Sequence, residues 1–165
     1  MRGGGVHTKS GKHHHSAPEM VQLRDGRRVS YAIYGATDGY PVVALHGAPA
    51  CRLMFASTDE YARRKGLKII APDRPGYADT TCDDNPTLKD RAAWLIAFAD
   101  EIRLDRFALL GISGGAPYAV AVAAALGPRT AGLALVSPMG PAADYAASAE
   151  GRANPIPFLQ RRFFL

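Results

Sequence analysis

Two short stretches hold residue types that could do chemistry together. Gly111-Ile112-Ser113-Gly114-Gly115 matches the pattern Gly-x-Ser-x-Gly, in which a sharp strand-to-helix turn raises a serine hydroxyl as a nucleophile for a carbonyl carbon. Gly111 and Gly115 suit such a turn, because larger side chains would clash in so strained a backbone. A helix starting just behind Ser113 would aim its N-terminal N–H groups and the positive end of its dipole at developing negative charge. The second stretch, His46-Gly47-Ala48-Pro49, follows directly on an apolar run. Three more histidines, His13, His14 and His15, stand in a row near the N-terminus. A solvated tail accounts for them better than a metal site, and neither a metal nor a cofactor is expected.

The elements around these stretches read as an α/β protein. Val21–Arg24 and Arg28–Tyr34 are expected as two strands around the turn pair Asp25-Gly26. Buried strands are expected at Pro41–Leu45, Leu67–Ala71, Arg106–Leu110 and Ala131–Val136, each a short apolar run bounded by turn residues. Arg52–Lys65 has helical spacing through Leu53, Phe55 or Ala56, and Tyr61, and Gly66 stops it. Thr87 can cap a helix to about Arg103 with Leu88, Ala92, Leu95 and Ala99 on one face. Small residues from Gly114 to Leu126 form another helix. Alternation of apolar strands with helices implies a mostly parallel sheet, covered on both faces, behind an N-terminal β-hairpin.

The chain of 165 residues is 47% hydrophobic and 21% charged, a globular composition. A domain near this size buries roughly 70% of its unfolded surface. Residues 1–19 are expected to be a disordered tail, residues 20–139 the ordered domain, and residues 140–165, rich in proline and glycine, the start of a lid. The net charge of +5 comes from scattered basic residues; without a groove-reading motif it does not indicate nucleic-acid binding. Two cysteines make no disulfide framework and fit a reduced, cytoplasmic protein. No apolar run reaches the ~18 residues of a membrane span.

The order strand, His46-Gly47-Ala48-Pro49, strand, Asp73-Arg74-Pro75-Gly76-Tyr77, helix, strand, Gly111-Ile112-Ser113-Gly114-Gly115 resembles the α/β-hydrolase superfamily, especially its small bacterial esterase, perhydrolase and epoxide-hydrolase branch. The resemblance covers about Leu23 to Pro138. It implies that Ser113 is the nucleophile, that Ala48 and Gly114 donate the two oxyanion-hole N–H groups, and that His46, with Gly47, supports the oxyanion loop instead of serving as the base. Asp73 would hold the turn that follows it. Serine at the elbow argues against epoxide-hydrolase or dehalogenase chemistry, for which the superfamily uses aspartate there. One departure is Ala78-Asp79-Thr80, where relatives have Gly-x-Ser.

The resemblance also implies an acid and a histidine after the nucleophile, in that order. No histidine follows Ser113. Asp144 and Glu150 are weak candidates for the acid. The expectation is therefore the first part of a serine hydrolase for a small ester or related acyl substrate, truncated and inactive by itself. The alternative is a non-catalytic fragment or binding module that keeps the architecture. Tyr77, Met139 and Leu53 are candidates for pocket or for plain core. With later strands lacking, the sheet edge is expected to be exposed and to drive self-association.

Overall fold

The computed structural model describes residues 18–84 and 87–138. Its strands are β1 (Glu19–Gln22), β2 (Arg28–Gly35), β3 (Tyr40–Leu45), β4 (Leu67–Pro72), β5 (Phe107–Ile112) and β6 (Thr130–Val136), with helices α1 (Asp59–Arg64), α2 (Leu88–Glu101) and α3 (Ala116–Leu126). The strands form one sheet in the order β1-β2-β4-β3-β5-β6. β1 and β2 pair antiparallel, as do β2 and β4; β4, β3, β5 and β6 run parallel. This is a mostly parallel α/β sheet, with the hairpin first and helices on both faces.

Side chains alternate across a strand, so the apolar runs feed two cores. On one face Val29, Val43, Leu45, Ile70, Phe107 and Leu109 pack with Leu95 and Phe98 of α2 and Val122 of α3. On the other, Ala32, Tyr34, Ala44, Ile69 and Ala71 pack with Phe55 and with Ala62 of α1. The chain leaves β3 toward β4 on one side and returns to β5 on the other. Ligands of open α/β sheets sit outside the carboxyl ends of the strands at such a reversal. The register sets Leu45 beside Gly111, which brings the loop after β3 against the turn after β5.

Several elements differ from the sequence reading. β1 begins at Glu19, inside the expected tail, and ends at Gln22, opposite Arg28. Leu23 leaves the strand because it folds into the core, 3% exposed, and it opens the five-residue turn Leu23–Arg27. Gly26 adopts φ +87° there, and Asp25 Oδ1 accepts from the Arg27 N–H at 3.1 Å. The expected single helix over Arg52–Lys65 is a 3₁₀ segment, Arg52–Thr58, followed by α1. The change of period leaves Leu53 and Tyr61 exposed; of the expected face Phe55 is buried, and Ala62 carries the burial in place of Tyr61. α2 starts at a reciprocal cap in which Thr87 and Asp90 bond each other's backbone N–H groups, as expected for Thr87. It buries Trp94 and Phe98 along with Ala92, Leu95 and Ala99, but leaves Leu88 exposed. β6, expected to be buried, is largely exposed at Leu133, Leu135 and Val136. Among the described residues it has a strand partner on one side only.

Candidate active site

Ser113 stands one residue beyond β5, half-buried, with φ +49°. A non-glycine residue in that left-handed region is strained and is held there by its surroundings. The surroundings are tight backbone packing. A Cβ on Gly115 would lie 2.3 Å from the Leu45 carbonyl oxygen and 2.7 Å from that of His46; one on Gly111 would lie 2.7 Å from the Ala116 Cα. These approaches let the 3₁₀ turn Ser113–Gly115 and the start of α3 press against the end of β3. The expected helix thus begins three residues beyond Ser113 and is entered through that turn. On the opposite wall, a Cβ on Gly47 would lie 3.2 Å from the Ser113 Cβ and 3.7 Å from its Oγ. The His46–Pro49 loop and the serine therefore stand so close that any side chain at position 47 would crowd Ser113. Ala48 is half-buried, Gly114 is buried, and the Ala48–Pro49 peptide is cis.

His46 is fully buried. The Arg74 backbone N–H donates to its Nε2 at 3.0 Å, so the proton of the neutral ring sits on Nδ1 and points to the Gly47 carbonyl at 2.8 Å. Burial, reinforced by the Arg74 charge, pushes its pKa down to about 4, despite the opposing pull of the Gly47 carbonyl and Asp73. With both nitrogens held by backbone, the ring has no lone pair to take a proton from Ser113.

Asp73 is buried at the end of β4. Its carboxylate accepts from the Ser30 hydroxyl at 2.7 Å and from the Arg52 N–H at 2.7 Å, and it pairs with the Arg52 guanidinium. Thr80 Oγ1 accepts from the Ser30 N–H at 3.0 Å, so Thr80 extends this network to the end of the turn. Tyr77 meets the His46 ring edge-on, centroids 4.8 Å apart. Leu53 is exposed and Tyr77 is half-buried. A hollow of about 380 Å³ lies at the opposite end of β5, lined by Asp100, Arg103, Leu104, Asp105 and Arg129. Met139, Asp144, Glu150, the lid segment 140–165 and the His13–His15 run lie outside the described residues.

Sequence reasoning passed over Arg74, which links the pieces. It is 2% exposed, and its guanidinium donates to the Gly47 carbonyl (Nη2, 3.0 Å) and to the Gly114 carbonyl (Nη1, 3.2 Å). The available signal was its place, two residues past the end of an apolar strand and three before an aromatic ring.

Residues 42–165 match the pattern of the alpha/beta hydrolase family. The uncharacterized hydrolase YcgS of Bacillus subtilis is 27% identical over 100 residues, 60% of this chain; the matched part is 34% of YcgS, so the chain spans about a third of that relative. A hypothetical protein of Pseudomonas aeruginosa, PA1622, is 28% identical with a TM-score of 0.66, over 82% of this chain and 51% of that one. A thermophilic esterase of Thermogutta terrifontis has a TM-score of 0.65 at 22% identity, over 89% of this chain and 57% of its own. No described helix is long and apolar enough to cross a membrane.

Proposed function

The chain belongs to the alpha/beta hydrolase family, and we propose that it carries the nucleophile and oxyanion half of a serine hydrolase acting on a carboxylic ester or related small acyl compound. The observation that supports this most is Ser113 at φ +49°, half-buried beyond β5 and facing Gly47, where a side chain would crowd it, at the reversal of the sheet. Ser113 Oγ attacks the substrate carbonyl carbon and gives up its proton to a base. The Ala48 and Gly114 N–H groups hold the oxyanion that forms, and losing one such donor typically costs on the order of 10²–10³ in rate. Collapse expels the alcohol with the returned proton, and water then releases the acid. The serine at the elbow favours an acyl substrate over an epoxide.

His46 is not that base, since its ring nitrogens are engaged and its pKa is low. No histidine follows Ser113 in the chain, and lack of a base costs on the order of 10⁶ in turnover. These 165 residues are accordingly proposed to be inactive without a base from elsewhere. Cys51 and Cys82 are free thiols, which supports a cytoplasmic setting.

The test is phosphonylation by a fluorophosphonate probe, with Ser113→Ala as control and imidazole added as a diffusible base. Labelling that depends on Ser113 and rises with imidazole is expected. A folded chain with no Ser113-dependent labelling at any imidazole concentration would replace this reading with the non-catalytic one.

A further inference from the structure

Arg74 is an unusual group to bury. Among the described residues it forms no ion pair with a carboxylate; its neighbour Asp73 is taken by Arg52 and Ser30. Its Nε has no hydrogen-bond partner. The guanidinium is instead covered by the rings of Tyr77 and Tyr118, 4.7 and 5.0 Å from Cζ, and its hydrogen bonds go to two carbonyls. Burying a charge without an opposite charge is expensive. Cation–π contacts offset part of that cost, and the choice of the two carbonyls indicates what the group does.

The Gly47 carbonyl belongs to the same peptide unit as the Ala48 N–H. It receives two donors, His46 Nδ1 at 2.8 Å and Arg74 Nη2 at 3.0 Å. Two donors at one end of a planar unit stop it from rotating. They also draw electron density toward oxygen, which makes the N–H at the other end a stronger donor. The second prong of Arg74, at the Gly114 carbonyl, fixes the turn after Ser113 to the same guanidinium. We propose that Arg74 is the positioning residue of the oxyanion hole: its forked side chain sets the spacing between the Ala48 and Gly114 segments and polarises the Gly47–Ala48 peptide. The proposal rests on the serine-hydrolase reading for its chemical purpose, but its geometry can be tested separately.

A lysine would keep the charge and lose the fork; a glutamine would lose both. In the wild-type chain, the Gly47 carbonyl carbon is expected to resonate downfield of glycine carbonyls that accept a single hydrogen bond. The Ala48 amide proton is expected to move upfield in both Arg74→Lys and Arg74→Gln. Imidazole-assisted phosphonylation of Ser113 is expected to slow by on the order of 10²-fold in Arg74→Gln, the loss of roughly one oxyanion donor, with partial recovery in Arg74→Lys. Folded variants with wild-type Ala48 shifts and labelling rates would overturn the proposal, as would an ordinary Gly47 carbonyl shift in the wild type, which needs no variant to fold. Absence of labelling in the wild type with the carbonyl and amide shifts as expected would sink the hydrolase reading and leave the positioning role of Arg74 standing.

Discussion

β5 and β6 are written in nearly the same alphabet, Phe-Ala-Leu-Leu-Gly-Ile and Thr-Ala-Gly-Leu-Ala-Leu-Val, and they lie side by side, parallel, with one register shift after Phe107. β5 lies between two parallel neighbours with Phe107 and Leu109 sealed in the core. β6 leaves Leu133, Leu135 and Val136 at 42%, 39% and 47% exposure. An apolar run tells what a strand tolerates on its faces. How much of it is covered depends on neighbours contributed by other parts of a chain. Among the described residues β5 has a strand on each side, and the turn after it is where backbone packs tightly enough to hold Ser113 at φ +49°.

The contrast can be broken most directly by truncation on each strand. Phe107→Ala removes a ring with no exposed surface and is expected to cost about 3–5 kcal/mol, whereas Leu135→Ala is expected to cost under about 1 kcal/mol. Urea unfolding of both variants checks this, and equal costs would mean that β6 is covered in solution.

Acid provides a finer probe of the buried end. His46 binds its proton at about 4 in the native state, against an ordinary 6.5. The unfolded chain therefore takes up the proton first as pH falls. The contribution of neutral His46 is intact above about pH 6.5 and is lost toward pH 4, by up to about 3 kcal/mol. Unfolding free energies at pH 7 and pH 4.5 are expected to differ more in the wild type than in His46→Gln. Parallel pH profiles would show that the ring is not the titrating group. The smallest effect belongs to the edge. If a second copy of the chain pairs along β6, Leu135→Lys is expected to shift sedimentation toward the monomer while changing stability by under about 1 kcal/mol; a wild type that already sediments as a monomer would end the expectation of self-association.

The central strands and the elbow were legible because their signals are local. Apolar runs mark β3, β4 and β5, and glycines at 111 and 115 mark a turn where Cβ atoms would strike backbone. What escaped depends on non-local packing. Leu23 reads as strand by pattern, but the core draws it out of the ladder. The Arg52–Lys65 helix changes period because Phe55 and Ala62 must both reach the sheet. For His46, the sequence suggested a support of the loop; the tautomer that lets it do so comes from an N–H 28 residues away. Arg74 was read as one letter of a turn, since nothing in its neighbours says that its side chain crosses to two other loops.

Adjacent residues Asp73 and Arg74 send opposite charges in different directions, the acid to Arg52 and the cation to the walls of the serine turn. Dissolved ions screen charges at a surface within about a Debye length, but they have little reach into a buried group. The other arginines described above lie at or near solvent, where added electrolyte weakens their fields. Arg74 does not share that dependence. The electric field at the end of β5 is therefore largely a property of the fold itself, weakened far less by concentrated salt than the fields of surface charges.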